Sequence, residues 1–140
     1  MMELLTIIES TTLFVLAGIH FNWAIGGTWG FDVAIPTKEN GERLMNPGKI
    51  DSATVGFGLA SFGLYYLILI GWIEWEIPFW ALNYAKWVIA GIFTLRSIGD
   101  FRYLGFFKKL KTTEFAKKDT KIYAPLCLGL GVIGFLLATL

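Results

Sequence analysis

The sequence predicts an all-α protein, a four-helix transmembrane bundle in a single domain. Two observations support this fold class. The 140 residues are 55% hydrophobic and only 16% charged, with a mean hydropathy of +0.59, which is far from the composition of a soluble domain. Four apolar runs also approach the roughly 20 residues that a helix needs to cross a bilayer. The predicted spans are residues 4–23, 53–73, 84–104 and 122–140.

The first span contains two ionisable residues, Glu9 and His20. They are eleven residues apart, so a helix of 3.6 residues per turn brings them to nearly the same face. Ionisable groups are costly at membrane depth unless they face a bundle interior or each other. We therefore expect this face to point into the bundle. His20 can titrate, bind a metal or donate a hydrogen bond, although a lone histidine is more often a packing residue.

The segment between the first two spans, residues 24–52, is polar and rich in turn residues. Asn40-Gly41 is a hairpin signal when strand-like residues flank it. Residues 31–36 are the candidate first strand and residues 43–45 the weaker return strand. The sequence therefore predicts a structured loop, with a short hairpin as one interpretation.

Two spans have small residues along one face. The second span has no charged residue, and its small face consists of Ala53, Gly56, Ala60 and Gly63. The small face of the fourth span consists of Cys127, Gly131, Gly134 and Ala138. Small residues let helix backbones approach closely in a membrane, so both faces are interpreted as packing surfaces. Asp119 or Thr120 is the expected N-cap of the fourth span.

The third span holds Arg96, Asp100 and Arg102 in its second half. Arg96 and Asp100 are four residues apart, so on a continuous helix they share a face and can pair. Either this pair only stabilises the bundle or it belongs to a functional site, since intramembrane charges are functional candidates by default. Arg102 is expected to reach the lipid headgroups.

Orientation follows from the lysines. Residues 108–121 contain six lysines, which predicts that this loop is cytoplasmic. Four spans then place the loop of residues 24–52 inside as well and both termini outside. The protein is accordingly expected in the cell membrane, as a multi-pass protein, with the His20 and Arg96 ends of two spans on the same side.

Several kinds of site are excluded or unsupported. Cys127 is the only cysteine, so the chain has no internal disulfide and no redox pair. One histidine excludes a bis-histidine haem, and no ligand spacing suggests zinc, so we expect no metal and no cofactor. The lysines of residues 108–121 are interpreted as contacts to anionic lipid headgroups, without a nucleic-acid partner.

Three sequence blocks resemble a known family. They are HFNWAIGGTWG at residues 20–30, RSIGDFRYLGFFKK at residues 96–109 and TEFAKKDTKIYAPLCLGLG at residues 113–131. They look like the signature blocks of small four-span bacterial membrane proteins catalogued as a domain of unknown function. The resemblance implies the same four-helix bundle. It also suggests that one constellation contains His20, Trp23, Arg96, Asp100, Arg102 and Asp119.

The expected function is non-enzymatic binding or passage of a small ligand, ion or lipid headgroup at a cytoplasm-facing polar pocket. His20, Arg96 and Asp100 would line the pocket, with Trp23 and Trp29 near its mouth. One alternative is a membrane-embedded enzyme for a lipid-soluble substrate, with His20 or Asp100 as acid–base groups. The other is a structural or assembly subunit. The sequence also leaves a homo-oligomer open.

Overall fold

The computed structural model describes all 140 residues. Helices contain 67% of the chain, and there is no β-strand. The all-α prediction is therefore confirmed. The α-helices are α1 (Met2–Ala24), α2 (Phe31–Ala34), α3 (Lys49–Leu69), α4 (Phe79–Ile98), α5 (Glu114–Lys118) and α6 (Ala124–Thr139). One π turn, Asp119–Tyr123, joins α5 to α6.

Three segments are long and apolar enough to cross a membrane: Met2–Ala24, Lys49–Leu69 and the continuous stretch Glu114–Thr139. Helix α4 has 20 residues, but it carries Asn83, Lys86 and Arg96 and is not among them. Three apolar helices indicate insertion into a membrane. The predicted third span, residues 84–104, and the orientation of the termini stay predictions.

The chain forms two compact units. The first unit contains Met1–Trp29, Pro47–Ile89 and Ile133–Leu140, and the second contains Gly30–Asn46 and Ala90–Val132. Each unit is described separately below.

Helices α1 and α3 pack against each other in the first unit and run antiparallel. The Phe21 ring lies over Gly56, and seven residues earlier in α1 the Phe14 ring lies over Gly63, seven residues later in α3. The Ser10 hydroxyl donates a hydrogen bond of 2.9 Å to the carbonyl of Gly63. The small face of α3 therefore receives aromatic rings of α1, and its predicted role in helix packing is confirmed.

Local hydrogen bonds define the ends of α3. Its N-terminus is capped where the backbone N–H of Gly48 donates to the Asp51 carboxylate at 2.7 Å, and an acidic side chain in the first turn also suits the helix dipole. Near the other end, the Tyr65 hydroxyl donates to the carbonyl of Leu82 in α4 at 2.7 Å. The Tyr65 bond holds the end of α3 against the first half of α4.

The loop in the second unit differs from the predicted hairpin. Residues 31–34 form the short helix α2 instead of a strand, and an isolated antiparallel bridge joins Thr37 to Arg43 across the Asn40-Gly41 turn. The Arg43 guanidinium pairs with Asp32 and lies over the Phe31 ring. The strand prediction was wrong because two short strands without a third strand are marginal in water, whereas Asp32 favours the first turn of a helix.

Replacing Gly63 by Leu should push α1 and α3 apart. A Cβ atom at Gly63 would lie 3.0 Å from the Phe14 ring, and overpacking of this kind typically lowers the free energy of unfolding by about 1–3 kcal/mol. Gly58 is the matched control, because a Cβ atom there meets nothing within 4 Å. Thermal unfolding in detergent should therefore show a lower midpoint for Gly63→Leu than for the unchanged protein. The midpoint of Gly58→Leu should not fall. Equal midpoints would contradict the packing.

Candidate functional site

A fully buried carboxylate, that of Asp119, is the centre of the second unit. Its Oδ1 accepts a hydrogen bond from Arg96 Nη2 at 3.1 Å, and its Oδ2 accepts one from the backbone N–H of Gly105 at 2.6 Å. The Lys108 ammonium also lies 3.2 Å from Oδ2. A buried charge is stable only when it is paired and hydrogen-bonded, and Asp119 meets both conditions.

Lys108 is buried with Asp119, with 2% of its surface exposed. Its Nζ donates to the carbonyl of Gly105 at 2.9 Å and to the hydroxyl of Thr120, in addition to its ion pair with Asp119. A lysine ammonium has three donors, and here each has a partner. We call Arg96, Gly105, Lys108, Asp119 and Thr120 the Asp119 centre.

The Asp119 centre has one more positive charge than negative charge. Two cations, Arg96 and Lys108, face one carboxylate. Moreover, Nη1 of Arg96 is buried and has no hydrogen-bond partner. The π turn presents Asp119 to these groups, and such turns are frequent at functional sites. The surroundings of Arg96 therefore favour a negatively charged neighbour.

The predicted pair of Arg96 with Asp100 is not formed. Helix α4 ends at Ile98, and Gly99 has a positive φ of 86°, so Asp100 no longer follows the helical face of Arg96. Arg96 pairs with Asp119 instead. The predicted helix over residues 84–104 thus begins earlier and ends six residues sooner, because the left-handed Gly99 terminates it. Asp119 and Thr120 are likewise not N-caps, since the helical stretch begins at Glu114 after the cap Thr113.

Asp100 organises the turn that follows α4. Its Oδ1 accepts hydrogen bonds from the backbone N–H groups of Arg102 (3.0 Å), Tyr103 (2.8 Å) and Leu104 (3.1 Å). Burial raises the pKa of Asp100, but these backbone donors outweigh burial and hold the pKa below its ordinary value of 3.8. The carboxylate charge is therefore already engaged by the loop.

Two glycines allow this loop to close on itself. A Cβ atom at Gly99 would lie 1.8 Å from the carbonyl oxygen of Leu104, and one at Gly105 would lie 2.2 Å from that of Ile98. Both glycines also have positive φ angles. No other residue fits either position, so residues 99–105 form a tight turn that ends directly at the Asp119 centre.

A polar cavity of about 820 Å³ lies beside this turn. Three basic, two acidic and two aromatic side chains contribute to its wall. The lining residues are Lys38, Glu39, Asn40, Asp100, Phe101, Arg102, Tyr103, Lys109 and Leu110. The Arg102 guanidinium lies over the Tyr103 ring, 4.9 Å from its centroid, which orients one cation at the wall.

The predicted residues His20, Trp23 and Trp29 lie together in the first unit. His20 Nδ1 donates to the carbonyl of Leu16 at 2.7 Å, and its ring meets Trp23 edge-on with centroids 4.8 Å apart. The Trp23 indole then donates to the carbonyl of Trp29 at 2.6 Å. Their contact with Arg96 or Asp100 stays a prediction.

Sequence reasoning assigned Lys108 and Lys109 to the basic stretch of residues 108–121 without singling them out, and it missed Lys38. Lys108 is one of six lysines in residues 108–121, and nothing in that stretch distinguishes the buried lysine from the exposed ones. Lys38 is far from the third span in sequence. Two pairs of the predicted site residues are in contact. Arg96 forms an ion pair with Asp119, and the backbone N–H of Arg102 donates to Asp100.

A family described as "Protein of unknown function (DUF3995)" matches residues 13–134 of the chain. The chain belongs to this family. The match confirms the resemblance to a family of unknown function, and the matched region of this DUF3995 protein includes the Asp119 centre and the lining of the cavity. No curated protein and no solved structure matches the chain.

Replacing Asp119 by Asn should destabilise this DUF3995 protein strongly. The change leaves Arg96 and Lys108 without their carboxylate, and breaking a buried ion pair typically costs about 3–5 kcal/mol. Adding Lys108→Met should restore part of the loss, because it removes one of the two unpaired cations. Denaturant unfolding in detergent measures both effects.

The control for this experiment is Glu114→Gln. Glu114 forms an exposed pair with Lys117 at 3.7 Å, and the loss of such a surface pair changes the stability by less than about 1 kcal/mol. If Asp119→Asn and Glu114→Gln proved equally mild, Asp119 would not hold the second unit together.

The turn after α4 should open in acid. Since folding lowers the pKa of Asp100, its carboxylate stabilises the turn fully above the ordinary value of 3.8 and loses this effect as pH falls through the lower folded value. Amide NMR shifts of residues 102–104 should therefore move in acid, and Asp100→Ala should show the shifted positions already at neutral pH. Asp32→Ala is the control and should leave these amides unchanged; amide shifts insensitive to acid would refute the role of Asp100.

Proposed function

We propose that this protein is a non-enzymatic membrane protein that binds a small anion, namely the phosphate of a lipid headgroup or a free phosphate compound, in the cavity beside residues 99–105. The supporting observation is the set of cations on the cavity wall: Lys38, Arg102 and Lys109. Basic side chains that converge on a concave site bind phosphate through charge-assisted hydrogen bonds.

The charge balance of the cavity supports an anionic occupant. Of its two carboxylates, Asp100 is engaged by three backbone N–H donors and neutralises the cations less than a free carboxylate would. Lys38 is held only by a weak exposed pair with Glu42 at 3.8 Å. Arg102 and Lys109 form no ion pair with any side chain. These cations are therefore available to a ligand.

The floor of the cavity is suited to binding because it is rigid. The turn of residues 99–105 ends at Gly105. The N–H group of Gly105 donates to Asp119, and its carbonyl accepts a hydrogen bond from Lys108. A preorganised site binds with a smaller entropic penalty than a flexible one. The net positive charge of the Asp119 centre adds a favourable field for an anion.

A lipid headgroup is the favoured source of the phosphate. Three helices are long and apolar enough to cross a membrane, and anionic headgroups are abundant next to basic segments of membrane proteins. The aromatic rings of Phe101 and Tyr103 also line the cavity and suit the interfacial part of a lipid. The enzyme alternative gains no support at Asp100, because its Oδ1 already accepts three backbone hydrogen bonds.

Arg102→Gln and Lys109→Gln should each weaken the binding of anionic lipid. A charge-assisted hydrogen bond contributes roughly 1.5–3 kcal/mol, so each variant should bind the lipid at least about tenfold more weakly. Native mass spectrometry of the protein with phosphatidylglycerol measures how much of this anionic lipid stays bound. The same measurement is made with phosphatidylcholine and with inorganic phosphate for comparison. Competition by inorganic phosphate alone would identify a free phosphate compound as the occupant.

The matched controls are Lys117→Gln and Lys121→Gln, which remove exposed lysines of the same basic stretch that do not line the cavity. Both should bind phosphatidylglycerol like the unchanged protein. If all four variants lost lipid equally, the binding would reflect general surface charge and the cavity would have no specific role.

A further inference from the structure

Two polar groups are sealed between α1 and α3 in the first unit without any hydrogen bond. Glu9 and Tyr66 are both fully buried, with 0% of their surface exposed. Neither carboxyl oxygen of Glu9 has a hydrogen-bond partner, and neither does the Tyr66 hydroxyl. The two residues lie on α1 and α3, the helices that pack against each other, but no hydrogen bond joins them in this structure. Buried polar groups are almost always hydrogen-bonded, so two such neighbours call for an explanation.

The neighbours on α1 do not supply the missing donor. The Thr6 hydroxyl donates to the carbonyl of Met2 at 2.8 Å, and the Ser10 hydroxyl donates to the carbonyl of Gly63 at 2.9 Å. Glu3 lies nearer the helix end, where the Trp72 indole donates to it at 3.3 Å. The hydroxyl protons beside Glu9 are therefore already used.

The elements around α1 supply no cation either. On α3, the titratable neighbours are Tyr66 and Tyr65, and the Tyr65 hydroxyl donates to the carbonyl of Leu82. On the adjoining half of α4, Lys86 forms no ion pair. Glu9 thus faces one phenol and otherwise uncharged surroundings.

A bare carboxylate in such a place would be very unfavourable, and a single positive charge would relieve it. A metal ion needs several ligands, and no group of three or more His, Cys, Asp or Glu residues could hold one. A proton needs only the carboxylate itself. The hydrogen bond can then run in either direction, because a phenol both donates and accepts.

We propose that Glu9 and Tyr66 form an intramembrane proton-binding site, separate in chemistry from the anion site proposed above. When Glu9 holds the proton, its carboxylic O–H donates to the Tyr66 oxygen. When Glu9 releases that proton to solvent, the Tyr66 hydroxyl rotates and donates to the carboxylate. One proton leaves and no other covalent bond is broken, and a side-chain rotation forms the Glu9–Tyr66 hydrogen bond that this structure does not show.

Infrared spectroscopy of the protein in lipid bilayers tests this site, with isotope labels on the glutamate carboxyl carbons so that aspartates do not contribute. At neutral pH the spectrum should contain the C=O band of one protonated carboxyl group, and the band should disappear reversibly in alkaline buffer. Its absence at neutral pH would overturn the proposal. So would a band that persists at every pH, because the carboxyl would then never release its proton.

Three variants assign the band. Glu9→Gln should remove it and should fold, because glutamine has the shape of the protonated side chain, whereas the exposed control Glu114→Gln should keep it. Tyr66→Phe should shift the band and move its titration to higher pH, since the carboxylate loses its donor. A Tyr66→Phe spectrum identical to that of the unchanged protein would overturn the exchange between the two residues.

A cation control separates the proton from a metal ion. At fixed neutral pH, adding Na⁺ or K⁺ should leave the band unchanged. Loss of the band in proportion to either cation would show that the carboxylate binds that metal ion in place of a proton, and the proposal would then be wrong. The wild-type titration decides the question even if Glu9→Gln does not fold.

Discussion

The second unit depends on the charge of Asp119. This one carboxylate binds the end of α4 through Arg96, the turn after α4 through Gly105, and the basic stretch through Lys108. Three consecutive segments of the chain, between Arg96 and Lys108, are therefore fixed by one buried anion. Because each partner contacts the same side chain, a change at any of them alters the geometry available to the others.

The first unit is stabilised in a different way. Helices α1 and α3 approach at Gly56 and Gly63, where aromatic rings of α1 occupy the space that larger side chains would need. In a membrane, where lipid tails are as apolar as the side chains, this kind of close packing drives helix association. Glu9 and Tyr66 differ from the other buried polar residues of these helices because their side chains have no hydrogen-bond partner.

The sequence predicted the features that depend on composition and on helical periodicity. The all-α fold and the small packing face of α3 are of this kind, since both follow from residues within one segment. The sequence did not reveal the partner of Arg96, because the spacing argument assumed that α4 continues past Gly99. It also could not single out Lys108, since burial of one lysine among six depends on the tertiary position of Asp119. The resemblance to the family grouped Arg96 with Asp119, but helical spacing alone gave no signal that these two residues are in contact.

The π turn at Asp119–Tyr123 changes which residues share a face along the last helical stretch. A π turn contains one residue more than an α-helical turn, so α5 and α6 are out of phase by about 100°. A helical wheel drawn without interruption through Glu114–Thr139 therefore misassigns one side of that stretch. Deleting a single residue between Asp119 and Pro125 would rotate the carboxylate away from Arg96 while leaving the composition of the segment almost unchanged. The number of residues in this short stretch therefore sets the direction of the Asp119 side chain relative to α6.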